Sequence, residues 1–367
     1  MSERIEQPSQ TSKSTVDESS KESHAPPDSV TKRRALTRRQ GSIIKRLSFD
    51  EIGVLLALLI LSAIIGIFHP DFLTSGSLVG VVRQAAFVAI MAFGIVFLLS
   101  MREIDLSIGS MYGVTIIGAA ILMNGGLNPW LASFVGILIG AVLGAVNGLL
   151  TSGLKVPTIV VTLGTLSAYR GIVFVWSNAK SITNIPSQNA FFTIFGGDYI
   201  GVPVSVWVLI ALAIILTVLY RQTRFGVMVR AIGSNEQAAR FSGIPIARIR
   251  FLTLTLMGIL CGVAGMLTLA YFGAADPTLG QGLELQVIAA AIIGGTSLAG
   301  GSGTILGALL GALIIEIINS GIVYFNVPTN WESFVTGGVI ILAVAADGVL
   351  RRRRLAQPTA GSRNLEQ

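Results

Sequence analysis

The sequence predicts an all-α fold, a polytopic transmembrane bundle of about ten helical spans, and three observations carry that expectation. Hydrophobic residues make up 52% of the 367 and charged residues only 12%, against roughly 25% charged in ordinary soluble domains. The apolar residues fall in long runs such as IGVLLALLILSAIIGIF and VWVLIALAIILTVLY, without the alternation of a barrel strand. Runs of about 17–25 apolar residues cross a bilayer as helices, because a helix satisfies its own backbone hydrogen bonds. Basic residues, finally, gather in alternate connections, the pattern that sets membrane orientation.

The elements follow in order. Residues 1 to about 30 are rich in Ser, Glu, Lys and Pro with no apolar periodicity, the composition of a disordered segment. TKRRALTRRQGSIIKR comes next, with seven basic residues in sixteen, and completes a cytoplasmic tail over 1–46. No small-residue cleavage site follows the first apolar run, so that run is read as an uncleaved span. The basic arm would also be drawn to anionic lipid headgroups.

A transmembrane domain over 47–350 then carries spans near 52–68, 78–99, 105–122, 129–151, 157–177, 202–220, 251–272, 284–299, 304–324 and 332–350, before a basic tail at 351–367. One face of the membrane collects the basic arm, Arg102, Lys155, six arginines between 221 and 250, and RRRR at 351–354. The connections HPDFLTSGS, NGGLNP, GAADPTLGQG and FNVPTN on the other face hold no Lys or Arg, and Lys180 alone breaks the pattern. Ten spans with both termini cytoplasmic satisfy this distribution; nine or eleven would put RRRR on the wrong face.

Two spans share a glycine ladder: Gly136, Gly140, Gly144 and Gly148 in the fourth, Gly303, Gly307 and Gly311 in the ninth. Glycine at every fourth residue lines one helix face and admits another helix closely. Spans five apart cross in opposite directions, which is what an inverted repeat requires, although packing need alone also produces such ladders.

Several chemistries are excluded. The net charge of +7 describes membrane topology and does not imply a nucleic-acid partner. Cys261 is the one cysteine, so no intrachain disulfide forms, and His24 and His69 stand far apart outside the spans. GGSGTILGALLG has glycines but lacks the lysine of a nucleotide-binding P-loop. The chain is therefore expected to be no enzyme, with no cofactor or metal of its own.

Polar side chains inside spans are costly and mark candidate pathways. Asp105, with Ser107 and Ser110, opens the third span, where a helix N-cap is the simpler reading. Asn147, Thr162 and Thr165 suit bonds to a neighbouring helix or to a substrate. Arg83, Arg170 and Glu284 lie at similar depth near the outer mouth, where they could form an ion pair or snorkel. Glu316 falls near the middle of the ninth span, where an ionised carboxylate costs about 2.5–3.5 kcal/mol on insertion scales. It is expected to face the interior of the assembly.

GSNEQAARFSGIP at 233–245 is a different kind of segment, a short soluble helix within the basic loop 221–250. Ser234 and Gln237 have the spacing of a capping box, and Gly243 with Pro245 ends the helix. Ala238, Ala239 and Phe241 offer a small apolar surface, and Glu236 and Arg240 can pair across one turn. Helices this short are marginal in water, so this one must pack, either on the protein's own face or on a partner.

The chain resembles the integral-membrane permeases of ABC importers of the ribose/xylose/galactose type, a family that includes autoinducer-2 permeases. The matching stretches are IDLSIGS (104–110), GAVNGLLTSGLKVPTIVVTLGTLSAYRG (144–171), RAIGSNEQAARFSGIPIARIR (230–250) and IAAAIIGGTSLAGGSGTILGALLGALII (288–315). Arg102 and Glu103 stand where the family usually has two glycines, and Gln286 stands where it has an acid. The resemblance implies a cytoplasmic ATPase subunit that hydrolyses ATP with Mg²⁺, an extracytoplasmic substrate-binding protein, and a second permease copy or sister permease. It further implies a multi-pass location in the bacterial inner membrane and a substrate that is a monosaccharide, a related polyol or an autoinducer. Gly233, Ser234, Asn235, Glu236, Ala238, Ala239, Arg240 and Gly243 would form the coupling helix that meets the ATPase. Asp105, Ser107, Asn147, Thr162, Thr165, Arg170, Glu284, Gln286 and Glu316 are the pathway candidates. An ion-coupled secondary transporter using Glu316, or a non-transporting scaffold, are the alternatives.

Overall fold

A computed structural model describes residues 49–328 and scattered positions between 331 and 345. The expected tails at 1–46 and 351–367 lie outside the described residues, as does most of the expected tenth span. The helices are α1 (Phe49–Phe68), α2 (Ser75–Ser100), α3 (Ile108–Asn124), α4 (Pro129–Leu154), α5 (Thr158–Ser177), α6 (Ala190–Phe195), α7 (Val204–Gln222), α8 (Arg224–Ser234), α9 (Glu236–Phe241), α10 (Ile246–Phe272), α11 (Leu283–Ile293) and α12 (Ile305–Tyr324). A two-residue hairpin, β1 (Asp198–Tyr199) with β2 (Val202–Pro203), is the only named sheet among the described residues.

Seven helices, α1, α2, α4, α5, α7, α10 and α12, are long and apolar enough to cross a membrane. The protein is a helical membrane bundle. Its core is α2 and α10, which are buried along most of their length, while α1, α4, α5 and α7 turn apolar faces outward. Exposed Leu56, Ile67, Phe134, Leu149 and Val175 are what a lipid-facing surface requires.

Two expected spans differ from a continuous helix. The third starts only at Ile108, after a non-helical link at 101–107. The eighth, expected over 284–299, is the 11-residue α11, about 16 Å long and half a hydrocarbon core. It stops at Gly294 because Gly295 takes φ +84 and the Thr296 amide turns back to Ala291 O at 3.0 Å. A glycine-built C-cap thus overrides an apolar run that hydropathy alone extends. The connections sort to two ends. One end gathers 101–107, 155–157, 223–245 and 294–304; the other gathers 69–74, 125–128, 178–203 and 273–282.

The glycine ladders pack on different partners. A Cβ at Gly140 or Gly144 would strike the carbonyl of Gly258 or Leu254, and one at Gly262 would meet Ile137 Cα at 2.7 Å. So the fourth-span ladder seats α4 on α10. Gly307 and Gly311 abut Gly294 and Ala290 in the same way, which seats α12 on α11.

Gly140→Ala is therefore expected to lower stability by roughly 1–3 kcal/mol, the usual cost of overpacking. Gly164→Ala in α5, where nothing lies within 4 Å of the added methyl, is expected to be neutral. Thermal unfolding of the two variants in one detergent measures the difference.

Candidate functional site

A cavity of about 370 Å³ opens between α2, α3, α11 and α12, away from the arginine-rich end. Its polar wall is Gln84, Gln281, Gln286, Glu316, Asn319 and Ser320, and Phe87 and Tyr112 supply aromatic surface. Helical spacing explains the arrangement. Gln84, Phe87 and Val88 stand at i, i+3 and i+4 on α2, and Glu316, Asn319, Ser320 and Val323 at i, i+3, i+4 and i+7 on α12, so each set shares one face. The buried Oδ1 of Asn319 has no hydrogen-bond partner among the described residues. Tyr112 anchors its hydroxyl away from the cavity, donating to Thr268 Oγ1 at 2.8 Å. The volume lies within the range of small-molecule sites, and amides beside a carboxylate and aromatic faces suit a neutral, hydroxyl-rich ligand.

Of the pathway candidates, Gln286 and Glu316 line this cavity; the other seven do not. Asp105, Ser107 and Asn147 are fully buried in a hydrogen-bond network between helices. Asp105 Oδ1 accepts from the Ser107 amide at 2.8 Å and the Ser107 hydroxyl at 2.7 Å. Asn147 Nδ2 donates to that hydroxyl at 2.8 Å, and Tyr169 OH donates to Asn147 Oδ1 at 3.0 Å. Asp105 is thus not the N-cap that the sequence suggests. Ser107 holds that position, and Asp105 orients it from the preceding link. Thr162 and Thr165 bond back to Ile159 O and Thr162 O of α5, with Thr162 also reaching Ile104 O, and Ser110 donates to Leu166 O.

Of the two alternatives for Arg83, Arg170 and Glu284, the ion pair is not met: no salt bridge among the three occurs in the described residues. Arg170 and Glu284 nevertheless lie against Gly113 and Gly109, one turn apart on α3, close enough for their charges to interact. Arg83 pairs with Asp198 at 2.5 Å and lies 4.4 Å above the Tyr271 ring. Arg170 donates to the carbonyls of Pro277 and Leu279 at 3.3 and 3.0 Å, so it braces the 273–282 link. Glu284 lies beside Gly109, where an added Cβ would strike it. The two arginines take closer partners, Asp198 of the hairpin for Arg83 and the carbonyls of an irregular link for Arg170. Asp276 in the same link accepts from Ser181 and from the hydroxyl and amide of Thr278. Those bonds hold its carboxyl below the usual carboxylate range.

At the arginine-rich end, 233–245 is not one helix. Gly233 and Ser234 finish α8, and the Ser234 hydroxyl donates back to Arg230 O at 2.9 Å. Asn235, not Ser234, caps α9, its Oδ1 accepting from the Ala238 amide at 3.0 Å. Asn is as good a cap as Ser, and the chain takes the one that lets α8 run a residue longer. Gly243 ends α9 at φ +77, with the Ile244 amide on Ala239 O at 3.1 Å. Glu236 and Arg240 pair at 3.1 Å on the exposed face. Of the apolar trio only Ala239 is buried; Ala238 is exposed and Phe241 is 83% exposed. Two contacts unforeseen from sequence join this end together. Arg250 pairs with Glu103 at 2.5 Å, and Arg102 donates to Ala299 O at 2.6 Å and Ser234 O at 3.2 Å. A groove of about 510 Å³ runs beside α9, lined among others by Lys155, Glu236, Arg240 and Arg250. Among the described residues no cluster of three His, Cys, Asp or Glu could hold a metal.

Residues 77–344 match the family described as the permease component of branched-chain amino acid transport systems. The ribose import permease protein of Bacillus subtilis (strain 168) is 38% identical over 83% of this chain and 95% of its own length. The L-arabinose ABC transporter permease protein of Azospirillum brasilense is 33% identical over 83% of this chain and 89% of its own length. The D-allose transport system permease protein of Escherichia coli (strain K12) is 36% identical over 83% and 94%. No solved structure matches the chain.

Asn147→Leu removes the bridge between Ser107 and Tyr169 at nearly constant volume. It is expected to destabilise the protein by about 1–3 kcal/mol, the cost of leaving buried polar groups unpaired. Thermal unfolding measures this, and surviving uptake at permissive temperature would separate it from a pathway role.

Proposed function

The chain belongs to the permeases of monosaccharide-type ABC importers, and on that premise we propose that it moves a monosaccharide inward across the bacterial inner membrane by alternating access. The observation that carries this reading is the match to the ribose permease over 95% of that protein's length. Ribose, arabinose and allose, named for the relatives, share ring hydroxyls and a less polar C–H face. The cavity suits both. Gln84, Gln281, Gln286, Asn319 and Ser320 can exchange hydrogen bonds with hydroxyls, Glu316 can accept one, and Phe87 with Tyr112 can lie against the C–H face. Such binding must stay weak, because a transit site has to release its cargo.

By the positive-inside rule the arginine-rich end is read as cytoplasmic, and α9 there as the coupling element for an ATPase subunit. That partner binds ATP and Mg²⁺. Phe241, largely exposed beside the paired Glu236 and Arg240, is the apolar contact it offers. Asn235 and Gly243 keep α9 rigid enough to move as a body. The opposite end, where Arg83, Asp198, Ser181 and Asp276 tie the surface loops together, receives the substrate-binding protein. A second permease, identical or related, completes the transmembrane pore. Ten spans, with both termini cytoplasmic, complete the topology.

An inverted repeat accords with the packing. Numbering spans by the expected order, the fourth packs on the seventh and the ninth on the second; the third packs on the fourth and the eighth on the ninth; the third packs on the seventh and the eighth on the second. Each pair is the other shifted by five, and the two short helices, α3 and α11, are themselves five apart.

A strain lacking this gene is expected to lose uptake of one of labelled D-ribose, L-arabinose or D-allose. That uptake should fail on ATP depletion and survive an uncoupler while ATP is held constant; the opposite pattern would favour an ion-coupled transporter. Glu316→Leu should reduce uptake about five- to hundredfold, equivalent to roughly 1–3 kcal/mol for a lost hydrogen-bonding group, while Glu316→Gln keeps most of it. Ala239→Glu places a charge at a buried position (4% exposed) and should abolish ATP-driven uptake with the permease still in the membrane. Normal uptake in that variant and in Gly243→Val would remove the coupling role from α9.

A further inference from the structure

We propose that Arg102 is a positioning residue that fastens the α8–α9 junction to the 294–304 link, so that displacement of α9 reaches the cavity wall through α11 and α12. The proposal rests on the reading of α9 as the element that meets the ATPase. Three chain segments converge at Arg102. Its Nη2 donates to the carbonyl of Ser234, the last residue of α8, and its Nε to the carbonyl of Ala299. The Gly301 amide donates to the carbonyl of Ser100, the last residue of α2, at 2.9 Å. Carbonyls at a helix C-terminus lack a partner within the helix and carry the negative end of its dipole. A guanidinium, with a rigid fork of donors, is the side chain best suited to bridge one such carbonyl, that of Ser234, and the Ala299 carbonyl of the link.

The junction has no slack. A Cβ on Gly233 would strike Ser100 O and come within 2.8 Å of the Gly301 amide, and one on Gly301 would meet the Ser234 hydroxyl at 2.6 Å. Beyond the link, Gly307 against Gly294 and Gly311 against Ala290 hold α11 and α12 together. That pair carries Gln286, Glu316, Asn319 and Ser320 into the cavity. The covalent route from α9 runs into α10, which contributes no residue to the cavity wall. The contact through Arg102 is thus a route to the cavity-lining pair α11 and α12 that does not pass through α10.

Arg102 has φ 64, a conformation that glycine adopts freely, so Arg102→Gly removes the fork without straining the link. The test uses the full chain in lipid nanodiscs with its ATPase subunit, carrying Ser320→Cys as a reporter; native Cys261 is fully buried and does not compete. The rate at which a small charged thiol reagent modifies the introduced thiol is measured with and without a non-hydrolysable ATP analogue. The nucleotide is expected to change that rate at least about fivefold, the low end of allosteric coupling. In Arg102→Gly the change should fall below about twofold with the ATPase still bound, and Arg102→Lys should recover part of it. An undiminished response in Arg102→Gly overturns the proposal, as does loss of the ATPase, which would make Arg102 part of the docking surface. No response in the Arg102 background would instead refute the coupling reading of α9, and the proposal with it.

Discussion

The close backbone approach of α4 to α10 is the contact on which the rest of the bundle depends. Lipid tails are as apolar as leucine side chains, so helices in a membrane gain little by hiding apolar surface from one another. Their association needs short contacts, and glycine is the residue that permits them. Where Gly140 and Gly144 meet Gly258 and Leu254, α10 is held at the centre beside α2. That position lets Thr268 anchor Tyr112 at the cavity and brings Arg250 to Glu103 at the arginine-rich end.

The polar groups within the bundle divide by what surrounds them. Asp105, Ser107, Asn147 and Tyr169 bond one another and cross-link α3, α4 and α5, with Asp105 Oδ2 left without a partner among the described residues. A chain of bonds in a low-dielectric interior specifies one arrangement of helices, since a shifted register would leave members unpaired. The residues around Glu316 instead face a space large enough for a small molecule. Polarity inside a span supports a pathway reading only where it borders a cavity, and by that criterion Gln286 and Glu316 differ from Asp105 although all three are costly to insert.

Much of this was legible in the sequence, and the limits have physical causes. Apolar runs and glycine spacing located the helices because both are properties of single segments. The end of α11 was missed because its C-cap lies inside an apolar run, where hydropathy does not register a glycine turning the chain. Glu316 drew attention as a charge, whereas Asn319 and Ser320 one turn on, and Gln84 opposite, did not, because their role depends on which helices face each other. The i, i+3, i+4 pattern from Glu316 was readable in advance and would have found two of them. The partners of Arg83 and Arg170 were not readable, since each contacts a loop more than 100 residues away in sequence.

The two irregular links show how one physical problem is met at both ends of the bundle. Backbone that leaves a helix has carbonyls without an intrahelical partner, and here arginine side chains bond them. At 273–282 the donor is Arg170, bonded to Pro277 O and Leu279 O. At the opposite end Arg102, itself in the 101–107 link, bonds Ser234 O and Ala299 O. Both arginines bridge two carbonyls, a task that lysine, with a point charge and a flexible stem, performs less well. The ends differ in what is bridged. Arg170 joins a helix to the two ends of one short turn, which rigidifies that turn. Arg102 joins two segments that are separate in sequence, one continuous with α9 and the other with the cavity wall. A brace inside a single turn makes that turn stiff, whereas a brace between two segments makes the position of each depend on the other.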